Sequence, residues 1–146
     1  MAFIADGSTV TATTQAAGTW TPSPSSGTWQ VNEARYVRVG NICMCWAHVL
    51  STSASADNST AVTISGLPIT SANVGTTNSG TGRAAWRGNW SMFGHVGKNG
   101  TTAYLSQSEG KDPTDTAKDK VHNSDLWIMY LTEDRRHGFL QFWYPV

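Results

Sequence analysis

Between Arg35 and Leu50 the chain reads RYVRVGNICMCWAHVL, two apolar stretches on either side of a Gly-Asn pair. Tyr36, Val37 and Val39 favour extended backbone, and Gly40-Asn41 is the kind of two-residue connection that closes a hairpin. Beyond it the side chains alternate. Ile42, Met44, Trp46, His48 and Leu50 fall on one face of a strand, and Cys43, Cys45, Ala47 and Val49 on the other. Neither set carries a formal charge with histidine neutral. A sheet with one wet face shows a polar residue at every second position. This strand is therefore expected to be covered on both faces, with another subunit as the second cover. Leu126–Leu131 and Phe139–Tyr144 are apolar on both faces in the same way. One sandwich buries only its inner faces, and a surplus apolar face is what a subunit interface uses.

The rest of the chain alternates short apolar runs with turns. Ala61–Ser65, Ser91–Val96 and Thr101–Gln107 read as strands, with a stop at Gly66-Leu67-Pro68 and a hairpin turn at Gly97-Lys98-Asn99-Gly100. Asp125–Thr132 and Phe139–Tyr144 predict a terminal hairpin around the charged turn Glu133–Gly138, with the end of the chain directly behind it. Ser51–Thr60, Ala72–Gly82 and Ser108–Ser124 are polar enough to be surface loops. Pro22 and Pro24 exclude a central strand from Gly18–Trp29, whose two tryptophans are expected to plug a core edge. Residues 1–19 hold Asp6 as their only charge and few large apolar groups, which suits an N-terminal arm or stalk connector before a head domain over 20–146. No stretch of useful length carries a helical period. About eight strands at short spacing predict an all-β fold, an antiparallel β-sandwich or jelly roll.

Composition narrows the function. Charged residues make up 14% of the 146, and 10 Lys+Arg balance 10 Asp+Glu, which argues against nucleic acid or an anionic membrane as the main partner. No apolar run approaches the roughly 20 residues of a membrane span, so no membrane insertion is expected. The N-terminus lacks the basic and apolar regions of a secretory leader. Cys43 and Cys45 stand two apart on one strand face, where a bridge would be strained; they read as buried thiols acting as small hydrophobes.

Candidate chemistry is sparse. His48, His95, His122 and His137 show none of the spacings of a metal site, and His48 reads as a satisfied core or interface histidine. No metal and no cofactor is expected, since there is neither a Gly-rich phosphate loop with a Lys nor a G-x-S-x-G elbow. Asp112, Asp115 and Asp119 cluster, but on a Lys-rich loop that would not hold two carboxyls in the fixed geometry a glycosidase needs. They read as a solvated loop. Trp86 and Trp90 flank Arg87, Gly88 and Asn89. Rings beside Arg and Asn near a turn are suited to holding a sugar, so Trp86, Arg87, Asn89 and Trp90 are the candidate ligand site; the plainer reading makes both tryptophans core plugs.

Three pieces occur in a telling order: Gly-Thr-Trp-Thr-Pro at 18–22, Arg35-Tyr36 followed by Gly40-Asn41 and an apolar strand, and Val62-Thr63-Ile64-Ser65-Gly66-Leu67-Pro68. Over about Gly18–Ser71 the chain resembles the C-terminal head module of bacteriophage tail fibres and related virion fibre proteins. The resemblance implies a trimeric β-sandwich or jelly-roll head in the virion, assembled in the host cytoplasm. It also implies attachment to other virion proteins through the N-terminal arm and binding to the host surface, with glycans as the expected ligand. Two alternatives stand beside it: a purely structural knob or capsid decoration without ligand, and an enzyme that degrades surface polysaccharide.

Overall fold

The computed structural model describes residues 3–5, 8–10, 15–54, 62–74, 78–86, 90–106 and 136–146; for 3–5, 8–10, Asn78, Trp86, Trp90, Ser91 and Ser106 it describes the backbone alone. The fold is all-β, as expected. Phe3–Ala5 (β1) and Ser8–Val10 (β2) pair as a separate two-stranded ribbon. The other strands are Gln15–Thr19 (β3), Ser23–Pro24 (β4), Thr28–Val39 (β5), Ile42–Ser53 (β6), Thr63–Ser65 (β7), Asn78–Trp86 (β8), Trp90–Gly97 (β9), Ala103–Ser106 (β10) and His137–Pro145 (β11). They form one antiparallel sheet in the order β3-β5-β6-β11-β8-β9-β10-β7-β4, curled into a half-barrel.

The hairpin at the centre of the sequence pattern is the longest feature of the sheet. β5 and β6 are 12 residues each and meet with Val39 opposite Ile42 across Gly40-Asn41. Gly40 supplies the left-handed backbone, φ 57°, that a two-residue turn matching the strand twist requires. Alternation along β6 places Cys43, Cys45, Ala47 and Val49 in the core and turns Ile42, Met44 and Trp46 outward. In β11, Leu140, Phe142 and Tyr144 point in, while Phe139 and Trp143 point out. These inward residues form a single core with Ala84, Met92, Val96, Ala103, Leu105, Val62 and Ile64 from the far half of the sheet.

Three expectations need correction. Phe139–Tyr144 does not form a terminal hairpin. β11 lies between β6 and β8 and bonds to both, so neither edge is free for such a partner; Asp125–Thr132 themselves lie outside the described residues. Ala72–Gly82 is not a loop throughout, because β8 begins at Asn78. Its glycines serve close packing. Gly82 and Gly94 are register partners on β8 and β9, and the Phe142 ring lies against both where a Cβ would stand. The polar stretch 51–60 likewise starts later than expected, with β6 running to Ser53.

β3 and β4 occupy opposite edges of the sheet, yet only Trp20, Thr21 and Pro22 join them. Four residue steps reach at most about 14 Å, so the curl must bring those edges close. Trp20 fills the seam. It is buried, and its indole N–H donates to the Trp46 carbonyl at 2.9 Å. Trp29 packs partly buried against the core. Both fit the core-edge role expected of the tryptophans in Gly18–Trp29.

Candidate functional site

The outward face of β5, β6, β11 and β8 is the part of the molecule with unspent chemistry. The ladder register sets which of its side chains stand together, since directly opposed residues have Cβ atoms about 4.5–5.5 Å apart. One row runs Val37, Met44, Trp143, Thr81. The next runs Arg35, Trp46, Gln141, Arg83 and on to Phe93 of β9. A third runs Glu33, His48, Phe139, Ala85. A register shift between Val31 and Glu33 keeps Val31 on the core side and brings Glu33 opposite His48 on the outer side.

The face divides into two halves. At the hairpin end Val39, Ile42, Met44 and Trp143 are 46%, 47%, 47% and 38% exposed and carry no charge. That is a contiguous apolar patch that no described residue covers. At the other end Trp46 and Phe139 are 44% and 53% exposed but stand among polar groups. Here a groove of about 470 Å³ is lined by Glu33, Trp46, His48, Arg83, Phe139 and Gln141. Ala85, opposite Phe139, also lines it, and its short side chain leaves the space open.

The walls of the groove are braced. His48 Nε2 lies 3.0 Å from His137 Nδ1, one ring donating to the other, and Phe139 stacks on His48 at 4.6 Å and 8°. His48 is thus a satisfied histidine on the outer face. Glu33 pairs with Arg35 at 3.6 Å. The Arg83 guanidinium sits 5.8 Å from the centre of the Phe93 ring, within cation–π range. Among the described residues the Arg35–Glu33 pair is the one salt bridge, and no group of three His, Cys, Asp or Glu side chains could hold a metal.

The expected site residues fall at the hairpin between β8 and β9. Trp86 ends β8, Trp90 begins β9, and the two are register partners. Their side chains, together with Arg87 and Asn89, lie outside the described residues, as do Asp112, Asp115, Asp119 and His122. Ala85, next to Trp86, connects this hairpin to the groove. Sequence reasoning did not single out Trp46, Arg83, Phe139 and Gln141. Alternation had placed Trp46 with Ile42 and Met44, but the row that joins it to Gln141 and Arg83 depends on long-range pairing that no local pattern encodes.

The thiols conform to expectation. Cys43 and Cys45 are free and fully buried on the inner face. Burial pushes both up from the ordinary 9.0; at Cys43 the neighbouring Tyr144 hydroxyl and Arg38 charge offset part of this. The thiolate is the reactive form, so native protein should resist a thiol reagent that labels the unfolded chain at once. Rapid modification of the native state would contradict this. Because the unfolded thiols ionise first, these groups stabilise the fold fully below pH 9.0 and lose that contribution as pH rises beyond it.

No family model, no curated protein and no solved structure matches the chain, and the reading of this face rests on its own geometry.

Proposed function

We propose that this chain is the head of a bacteriophage fibre, a homotrimer that attaches the virion to glycans on the host cell surface. The observation that supports the reading is the outward face of β5, β6 and β11. Its hairpin half is apolar without charge, and exposed apolar patches of this kind mark subunit contacts. Packing that half against neighbouring copies supplies the second cover anticipated for Ile42, Met44 and their partners. Closed symmetry presents every surface site three times, so weak binding at one site becomes useful avidity. Gln15–Thr19 (β3) pairs with β5 in the head's sheet, so the proposed connector to other virion proteins is the part of 1–19 ahead of β3.

Sedimentation at micromolar concentration is expected to give one species of three times the 15.7 kDa chain mass. Met44→Asp sets a charge in the middle of the apolar half and should shift that species to monomer without loss of the β-rich circular dichroism. A wild-type monomer would defeat the trimer. Adsorption of labelled protein to host cells, abolished by prior periodate treatment of the cells, tests the glycan.

An enzyme acting on polysaccharide is the weaker reading. Glycosidases of the common kind hold two carboxyl groups about 5–9.5 Å apart in fixed geometry, which a polar, Lys-rich stretch such as Ser108–Ser124 is poorly suited to provide.

A further inference from the structure

We infer that the groove between Trp46, Phe139 and Arg83 is a binding site for a carboxylated sugar, a hexuronate residue of a polysaccharide. The inference rests on the glycan-binding reading above and names the site and the ligand class. Three observations carry it, and they concern shape, surface and charge.

The groove of about 470 Å³ is within the 300–1,000 Å³ usual for small-ligand sites. It is built on strands β5, β6, β11 and β8 rather than on loops, so its groups are held in place before a ligand arrives. It lies beyond the apolar half. Trp46 follows Met44 on the same face of β6 two residues on, about 7 Å at the usual rise per residue, so the groove borders the apolar patch.

A pyranose ring has an apolar face of C–H groups and an equator of hydroxyls. Trp46 and Phe139 present exposed aromatic surface to the first. Phe139 cannot swing freely, because His48 stacks on one side of its ring and His137 in turn anchors His48. For the hydroxyls the Gln141 amide offers both donors and an acceptor, and Glu33 offers acceptors. Gln141 stands between Trp46 and Arg83 in the same row, so the polar groups interleave with the rings.

Charge selects the acidic sugar. Arg35 and Glu33 neutralise each other. Arg83 has no carboxylate partner among the described residues and lies within cation–π range of the Phe93 ring, which leaves its charge uncancelled. A planar guanidinium with paired N–H donors matches a carboxylate bidentately.

The test is equilibrium binding to an immobilised panel of hexuronate-containing oligosaccharides, each beside its carboxyl-reduced counterpart, in which the acid has become a neutral hexose. Wild-type protein should bind at least one acidic member, lose tenfold or more in affinity on carboxyl reduction, and weaken as salt screens the charge. Arg83→Gln and Trp46→Ala should each lower affinity tenfold or more with sedimentation and melting unchanged. Arg83→Gln keeps a long polar side chain on the surface, so it remains decisive if Trp46→Ala alters assembly. Binding confined to neutral sugars, binding indifferent to both variants, or no binding to any member overturns the site. Host-cell adsorption distinguishes the two failures. If wild type and both variants adsorb equally through periodate-sensitive glycans, the fibre-head reading stands and the groove is excluded. If wild type does not adsorb at all, the reading itself falls.

Discussion

Gly82→Val should cost about 3 kcal/mol or more, because overpacking a filled core typically costs 1–3 kcal/mol and backbone collision adds to it. A Cβ at position 82 would meet the Phe142 ring and the Gln141 carbonyl, and a Cβ at Gly94 would meet the same ring from the next strand. The ring has no room to withdraw, since Phe142 is fully buried between β6 and β8. Against a total stability of roughly 5–15 kcal/mol, such a loss is large. Gly82→Ala should be milder and in the same direction. Gly100→Ala is the control: the nearest atoms to a Cβ there are 3.7 Å away or more, so stability should stay within about 0.5 kcal/mol. Urea midpoints with unchanged slopes measure all of these. Pairing Gly82→Ala with Phe142→Leu should recover part of the loss, because residues in contact couple by about 0.5–3 kcal/mol. Wild-type stability for Gly82→Ala would show that the sheet relaxes around the ring, and the close-packing account of these glycines would be withdrawn.

Trp20→Ala is expected to cost about 3–5 kcal/mol, the range for emptying a core aromatic site. The seam makes the loss more than local. Trp20 spans the joint where β3 and β4, at the two edges of the sheet, are drawn together, and it is tied to the wall by its bond to the Trp46 carbonyl. Trp20→Phe keeps most of the volume and removes the donor, which should cost about 0.5–1.5 kcal/mol, the net contribution of one hydrogen bond. Hydrogen exchange provides a second readout. In Trp20→Ala the amides of β3 and β4 should lose protection before those of β6 and β11 do. A cost below 1 kcal/mol for the alanine variant would mean the seam closes without the indole.

Much of this architecture can be read locally. The Gly40-Asn41 turn, the two faces of the strand from Ile42, the Lys98-Asn99 turn and the burial of both thiols follow from residue type and alternation. What escaped was long-range. Asn78–Trp86 looks like a loop because small and polar residues dominate it, and nothing nearby announces that Phe142, some 60 positions later, needs glycines to lie against. Phe139–Tyr144 looks like half of a hairpin because apolar runs close in sequence usually pair. Its true neighbours, β6 and β8, were set by which faces had to share one core. The groove was hidden for the same reason. Trp46, Gln141 and Arg83 are distant in sequence and adjacent only through two ladders. The residues chosen from local pattern, Trp86 and Trp90, come close to it along β8 without defining it.

The position of β11 also bears on how the protein is made. A ribosome releases roughly 5–20 residues per second, so β6 and β8 emerge seconds before the strand that belongs between them. Through that interval the nascent chain holds two long strands with bare hydrogen-bonding edges and an inner face lacking Leu140, Phe142 and Tyr144. Unpaired edges recruit other strands, and on a polysome the nearest ones belong to identical chains. Insertion of His137–Pro145 is therefore the committing event of biosynthesis. It joins the two halves of the sheet and removes, in one step, the surfaces on which growing chains would stick to one another.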